Sequence, residues 1–406
     1  MKILYVNSLY APHIGGGAEI SIGLIASKMQ ARGHEVIVLA TGPTRNLVEE
    51  EIDGIRVYRA PLKNYYWHYK ASKKSFLLKK AWHIKDRYNA AMRDVLRAII
   101  EKEKPDLVSC HNLTGWSISI WDEIASAGIP IVQVLHDLYL LCARSTMFAN
   151  GRSCQRRCST CSLLRMNHAR ASEAVSAVVG VSARTLQEFV RHGYFRTSAR
   201  RVIHNARDIS PAKNREKHDV QAPVRFGYIG TLAPWKGVEW LIQQFEKRDL
   251  NATLLIAGSG ENEYEEYLKK SLRNNRISFA GHMNAAEFFS SIDVCVVPSI
   301  WQEPLGMVAV EACAHSRPVI ASDVGGLPEI VIDGLNGILC DPTQKESLGD
   351  ALQRLVENRD ELVQMSRDAR TSIEAINSAE RLADEYESVY LSEYGKMRKA
   401  NFENFL

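Results

Sequence analysis

Apolar residues in this chain cluster into short runs of strand length, separated by stretches of helical or irregular pattern. The first run covers 3–7 and leads through a glycine-rich turn into a helical pattern ending at Arg32. A second apolar run at 35–40 completes a predicted βαβ unit. Runs at 107–110, 131–135, 177–181 and 201–203 repeat the theme, and their β-branched content with long crossovers predicts a mostly parallel sheet covered by helices on both faces. A polar stretch at 208–223, bracketed by Pro211 and Pro223, reads as a linker. A second alternating series follows at 225–229, 253–257, 277–280, 294–297, 318–321 and 337–339. The pattern therefore predicts an α/β chain of two doubly wound units, 1–208 and 209–377, with ligands expected in the cleft between them. The tail, 378–406, is polar and helical with spaced aromatics at Tyr386, Tyr390, Tyr394, Phe402 and Phe405, and is expected to return to the first domain.

Length supports two domains, because 406 residues exceed what one hydrophobic core usually serves. The apolar fraction of 46% and charged fraction of 24% exclude a disordered or fibrous chain. No apolar run has the length of a bilayer span. The N-terminus enters a strand directly, without the features of a secretory signal, so a cytoplasmic enzyme is expected. The net charge of +4 hides an asymmetry. Residues 1–208 carry 30 Lys and Arg against 17 Asp and Glu, whereas the remainder carries 21 against 30. A basic first half suits an anionic partner such as a phospholipid surface or a pyrophosphate-linked acceptor.

Candidate chemistry concentrates at strand ends. In the segment from Trp301 to Glu311, Pro304 suits the first turn of a helix, placing Glu303 just outside it. The free N–H groups near Leu305, Gly306 and Met307 would then offer an anion site at the positive helix end. Glu311 lies about two turns on; two glutamates so spaced are also common on solvated helices. Upstream, the turn from Gly230 to Gly237 carries Lys236, which can place positive charge against a diphosphate leaving group. Gly258 begins a turn that permits close backbone approach at a strand's carboxyl end. Gly15, Gly16 and Gly17 form a loop whose amides could approach a phosphate or sugar. His136 and Asp137 follow the run at 131–135, and His111 and Asn112, at another strand end, are placed on the acceptor side. The chain contains no Asp-x-Asp triplet for a metal-diphosphate, so charge compensation by Lys236 and helix dipoles, with no cofactor required for catalysis, is expected.

Glu303 and Glu311 in a Glu-x7-Glu arrangement, together with the lysine turn and first glycine loop, resemble the retaining glycosyltransferases of family 4. That resemblance implies a GT-B fold, with two Rossmann-like domains facing a central cleft and the donor bound mainly by the second. It implies that Glu303 contacts donor-sugar hydroxyls, Glu311 the ribose hydroxyls, and the Gly306 and Met307 amides the distal phosphate. His136 would position the donor sugar, and the loop containing Gly281 would read the base through its backbone. Thr231 stands where the family usually has Arg, leaving Lys236 to supply most of the charge. The resemblance implies transfer of a sugar from a nucleotide-sugar, UDP- or GDP-linked, to a glycan or lipid-linked acceptor by front-face displacement. A nucleotide-sugar epimerase of the same fold and a noncatalytic nucleotide-sugar-binding protein are the alternatives.

Two segments stand apart from this core. Cys142, Cys154, Cys158 and Cys161 form a cysteine-rich insertion, 142–161, for which a structural zinc, unliganded thiols and a disulfide remain open. Residues 63–87 hold eight basic side chains, one acid at Asp86, and aromatics at Tyr65, Tyr66, Trp67, Tyr69, Phe76 and Trp82. Such a mixture suits peripheral contact with an anionic membrane at its inner face, or a solvated helix with partly buried rings. The nucleotide-sugar motifs leave little room for nucleic acid as a partner.

Overall fold

The computed structural model describes residues 1–69, 74–209 and 222–403, with side chains as far as Lys399. Most of the expected linker, residues 70–73 of the basic segment and the rings of Phe402 and Phe405 thus lie outside the described residues. The chain divides into two compact units: Met1–Met147 with Gln155–His204 and Ala379–Leu406, and Phe148–Cys154 with Asn205–Ser378.

The first unit is built on strands β1 (Lys2–Asn7), β2 (Glu35–Gly42), β3 (Val48–Ile52), β4 (Ile55–Pro61), β5 (Leu107–Cys110) and β6 (Ile131–Leu135). After a two-stranded hairpin, β7 (Phe148–Ala149) and β8 (Arg152–Ser153), come β9 (Ala177–Gly180) and β10 (Ala199–Val202). The sheet order is β10-β9-β6-β5-β1-β2-β4-β3, and only β3 runs antiparallel to its neighbour. Along β5, β6 and β9 every residue is buried, as a parallel sheet covered on both faces requires. The sequence pattern did not reveal β3, because Val48-Glu49-Glu50-Glu51-Ile52 is a charged edge strand whose residues are exposed or half-buried. Such charge on an edge discourages pairing with other chains. β10 begins two residues earlier than the apolar run at 201–203.

The C-terminal helix Ala379–Glu403 packs on this first unit. Tyr386 and Tyr390 are fully buried, while Arg32 bridges Asp384 and Glu387, both at 2.7 Å. Exposed ion pairs of this kind are worth about 0–1 kcal/mol each, so the buried rings do most of the anchoring.

The second unit contains a six-stranded sheet of β11 (Val224–Ile229), β12 (Ala252–Ala257), β13 (Ile277–Gly281), β14 (Val294–Val297), β15 (Val319–Ser322) and β16 (Gly337–Cys340). Its order is β13-β12-β11-β14-β15-β16, with all neighbours parallel. Phe226, Leu254, Val294 and Ile320 contribute to the core, which the helices Val238–Glu246 and Ser347–Glu357 cover with Leu241, Phe245, Leu352 and Leu355. The strand order reverses between β11 and β14 here, and between β1 and β5 in the first unit. At such switch points the loops leaving the strands' carboxyl ends diverge and leave a crevice for ligands.

Candidate active site

In the second unit the switch-point loops carry Lys236 and Glu303. Gly230 to Gly237 leaves β11 and forms a short 3-10 turn, Pro234–Lys236, before the helix Val238–Glu246. Residues 298–306 leave β14 and lead to the helix Met307–Ala314. Lys236 Nζ donates to both carboxylate oxygens of Glu303, at 3.0 and 2.8 Å, and lies 5.1 Å from the centre of the Trp301 ring. Glu303 Oε2 also accepts from Ser299 Oγ and Trp301 Nε1, both at 2.9 Å. Four donor contacts thus hold one carboxylate in place. Charge-assisted bonds of this kind are the strong ones, and a partly buried pair is screened less than a surface pair.

The helix starts later than the proline pattern predicts. Pro304 lies in an irregular loop, and the first helical residue is Met307, because Gly306 adopts a left-handed conformation with φ of 88°. A Cβ at Gly306 would come within 2.3 Å of Leu327 Cδ2, so both dihedral and space call for glycine. Leu305 is buried, and Gly306 and Met307 bring the chain to the positive end of the helix. On that helix Glu311 is paired with Arg207, whose Nε donates to Glu311 Oε1 at 3.1 Å. Arg207 follows Asn205 at the start of the second unit, and its own amide donates to Asn377 Oδ1 at 2.7 Å. Sequence reasoning passed over Arg207, which lies 104 residues from its partner and in no recognisable motif.

The other expected donor residues are distributed around these two loops. Thr231 has an exposed side chain, and its carbonyl accepts from Tyr228 at 2.7 Å. Gly258 packs against protein backbone: a Cβ there would meet Gly230 O at 1.9 Å, and its amide donates to Gly281 O at 2.6 Å. The turns after β11, β12 and β13 are therefore braced against one another.

In the first unit, Gly15, Gly16 and Gly17 lie exposed at the start of the helix Gly17–Ala31. The Gly15 and Gly16 amides, expected to be open to a ligand, are already engaged. Gly15 and Gly16 donate to Glu19 Oε2 at 3.2 and 2.9 Å, and Asn7 Nδ2 donates to Glu19 Oε1 at 3.3 Å. Glu19, the third residue of the helix, thus shapes the loop by reaching back to its amides; glycine at 16 has no side chain to complete a capping box, so the spacing carried only half of that signal. Burial raises the Glu19 carboxyl, although these hydrogen bonds pull the other way.

His136 is half-buried after β6, and its Nε2 lies 2.8 Å from Nδ1 of His111. His111 is only 1% exposed and so does not line an acceptor surface as the sequence suggested; it lies behind His136. Asp137 accepts from the Tyr139 amide at 2.8 Å, and burial pushes its carboxyl from the ordinary 3.8 up to about 7.

The cysteine-rich segment does not assemble into a four-cornered metal site. Among the described residues no group of three or more His, Cys, Asp or Glu could hold a metal ion. Cys154 belongs to the second unit, whereas Cys142, Cys158 and Cys161 belong to the first. The Cys142 and Cys161 sulfurs lie 3.6 Å apart, well beyond a disulfide bond, and Cys158 Sγ caps the helix Ser159–Leu164 by accepting from the Cys161 amide. The hydrogen bond from Cys161 holds the Cys142 thiol below its usual range. The hairpin β7–β8 joins the second unit, where Ser153 Oγ donates to Ile300 O at 3.0 Å, three residues before Glu303.

In the basic segment most rings turn inward. Trp82 is 2% exposed and donates to Tyr66 O at 2.9 Å, and Trp67 Nε1 donates to Thr41 Oγ1 at 3.0 Å. The helix Phe76–Asp86 still exposes Phe76, Leu77 and Ile84 beside Lys79, Lys80 and Lys85, while its acid, Asp86, is buried. No helix among the described residues is long and apolar enough to cross a membrane.

Comparison with known proteins agrees with this geometry. Residues 16–206 match a family model described as a glycosyl transferase 4-like domain, and 211–372 match glycosyl transferases group 1. An uncharacterized 42.6 kDa protein in the cps region of Klebsiella pneumoniae is 29% identical over 81% of this chain and 87% of its own. A glycogen synthase of Mycobacterium tuberculosis is 26% identical over 97% of this chain and 95% of its own. Among solved structures, a sucrose-phosphate synthase from Thermosynechococcus elongatus superposes with a TM-score of 0.77 at 20% identity, covering 97% of this chain and 99% of that one. HepE of Anabaena, in complex with UDP and glucose, gives 0.70 at 20% identity, covering 96% and 99%. Paired domain matches across most of the chain, two doubly wound sheets and acidic and basic groups gathered at the second sheet's switch point lead to one assignment: the chain belongs to the family-4 glycosyltransferases of GT-B fold.

Proposed function

We propose that this enzyme transfers a sugar with retention from a UDP- or GDP-sugar to a glycan or lipid-linked acceptor, without a metal ion in the chemical step. The single observation that carries this reading is the Lys236–Glu303 pair at the switch point of the second sheet. In this reading Lys236 meets the diphosphate, Glu303 the sugar hydroxyls, and Glu311, held by Arg207, the ribose. In the transfer the bond from the donor's anomeric carbon to the diphosphate oxygen breaks, and the electron pair leaves with the nucleotide. The acceptor oxygen bonds to the same face of that carbon and gives its proton to the departing phosphate. Lys236 stabilises charge that grows on the leaving group, an effect worth about 3–4 kcal/mol where one preorganised donor is removed from a comparable site. His136 is assigned to positioning the donor sugar. Solved neighbours described in complex with UDP or UDP-glucose support a nucleotide-sugar donor. The relative described in a cps region supports a role in cell-surface polysaccharide or glycoconjugate assembly. The helix Phe76–Asp86, with its exposed apolar and lysine side chains, suits an anionic membrane carrying the acceptor.

A thermal-shift panel of UDP, GDP, ADP and their sugars tests the donor assignment. A ligand bound only by the folded protein at about 100 times its Kd stabilises by about 2.7 kcal/mol. A clear shift with UDP or GDP and their sugars is expected. Absence of any shift across the panel would overturn the reading.

A further inference from the structure

Behind His136 runs a chain of polar groups that ends on the C-terminal helix. His111 follows β5, and its backbone is fixed on both sides. Its amide donates to Val6 O at 2.9 Å, and its carbonyl accepts from Gln133 Nε2 at 2.7 Å. The imidazole uses both nitrogens: Nδ1 lies 2.8 Å from His136 Nε2, and Nε2 lies 3.1 Å from Ser109 Oγ. Ser109 Oγ in turn lies 3.0 Å from the Tyr390 hydroxyl. The His111 and His136 ring centres lie 5.1 Å apart with an interplanar angle of 20°, so the rings meet edge to edge and nearly coplanar, and Tyr5 packs against both His111 and Tyr390, at 5.7 and 6.3 Å. Ser109 and Tyr390 are fully buried and His111 nearly so, whereas His136 is half-buried.

A neutral imidazole donates from one nitrogen and accepts at the other. Burial, with the neighbouring His136 as a lesser cause, holds His111 well below its ordinary 6.5, so it is neutral. One proton therefore lies between the two rings. Its side is coupled to the direction of the Ser109 and Tyr390 hydroxyls, because reversing one link requires reversing those behind it. A connected network of this kind, buried at Tyr390, Ser109 and His111 and reaching the half-buried His136, favours one arrangement over a mixture.

We propose that His111, backed by Ser109 and by Tyr390 from the C-terminal helix, is a positioning residue that fixes the tautomer and ring plane of His136. The value of this for catalysis rests on the reading of His136 as a donor-sugar contact. It gives the returning helix a function in the active centre: a hydroxyl on a segment remote in sequence, 254 residues after His136, decides which nitrogen of that ring carries the proton. The logic is that of an outer group orienting a reactive histidine through the nitrogen the substrate does not use.

The test is long-range nitrogen–proton NMR on the full chain labelled at histidine, comparing wild type with Tyr390→Phe, which keeps the ring and removes only the hydroxyl. The proposal expects one neutral tautomer for His111 and one for His136 in the wild type, and a mixture for both in Tyr390→Phe. Ser109→Ala cuts the chain one link nearer and should give the same mixture, so the test stands if either variant fails to fold. Unchanged tautomer populations in the folded variant or variants would overturn the proposal, as would mixed tautomers in the wild type. This readout does not depend on donor turnover. Loss of the proposed role for His136 would instead appear as normal turnover in His136→Ala, so the two failures are distinguishable.

Discussion

At the residue scale, the arrangement of Lys236 and Glu303 makes both more exacting than their types alone would suggest. Removing Lys236 leaves a carboxylate held by Ser299 and Trp301 but without its cation. Lys236→Ala should lower turnover by about two to three orders of magnitude, in line with the loss of one preorganised charge donor. Near-normal turnover in a steady-state assay would remove its assigned role. Asp137 supports a separate expectation about stability. Its folded pKa of about 7 exceeds the ordinary 3.8, so between those values the folded state holds a proton that the unfolded state has lost. Stability contributed by this group is therefore present at acid pH and falls as pH rises from about 4 to about 7. Asp137→Asn should remove that fall, and chemical denaturation of both proteins at pH 5 and pH 7.5 measures it; an identical pH dependence in the two would contradict the assignment.

At the scale of elements, the helix Met307–Ala314 is placed by one backbone feature, the left-handed Gly306. Gly306→Ala should cost about 1–3 kcal/mol, from the strained dihedral and the approach to Leu327, and should displace the loop that carries Glu303. Denaturant titration gives the cost, and a loss below a few tenths of a kcal/mol would refute the argument. The same feature shows where reading the sequence stops. Pro304 signalled a helix start, yet propensity cannot compete with a glycine that turns the chain into the left-handed region two residues later. The lysine turn and the two glutamates were legible because strands in an α/β sheet announce their own carboxyl ends, and ligand groups gather there. Arg207 and the Glu19 brace were not read: the first is a long-range pairing, and the second is a local cap hidden within a glycine motif. The charged strand β3 was invisible because it lacks the apolar alternation that marks half-buried strands.

The helix Phe76–Asp86 also belongs to this scale. Its exposed Phe76, Leu77 and Ile84 beside three lysines should carry the enzyme onto vesicles containing an acidic phospholipid. Co-sedimentation is expected with such vesicles and not with neutral ones, and replacing Phe76 and Leu77 by Ser should reduce it severalfold. Equal recovery with both vesicle types would exclude the electrostatic part of this contact.

At the scale of the whole molecule, each of the two doubly wound units presents a switch point, and each has its own brace. In the second unit the brace is ionic and joins Lys236 to Glu303 and Arg207 to Glu311. In the first it is the buried chain from Tyr390 to His136, supplied in part by the last helix of the protein. The C-terminal segment was expected from its pattern to return to the first domain; its fully buried tyrosines explain why the return is held by packing more than by its surface ion pairs. The charge asymmetry between the halves of the sequence fits this division, with Glu303 and Glu311 in the second unit and the basic helix in the first.

The central claim is that Lys236 and Glu311 grip the nucleotide part of an activated sugar. Calorimetric titration of UDP and of GDP into wild type, Lys236→Ala and Glu311→Ala tests it most directly. Saturable binding of one of the two nucleotides is expected, weakened at least tenfold in both variants. Equal affinity in the wild type and both folded variants would contradict it.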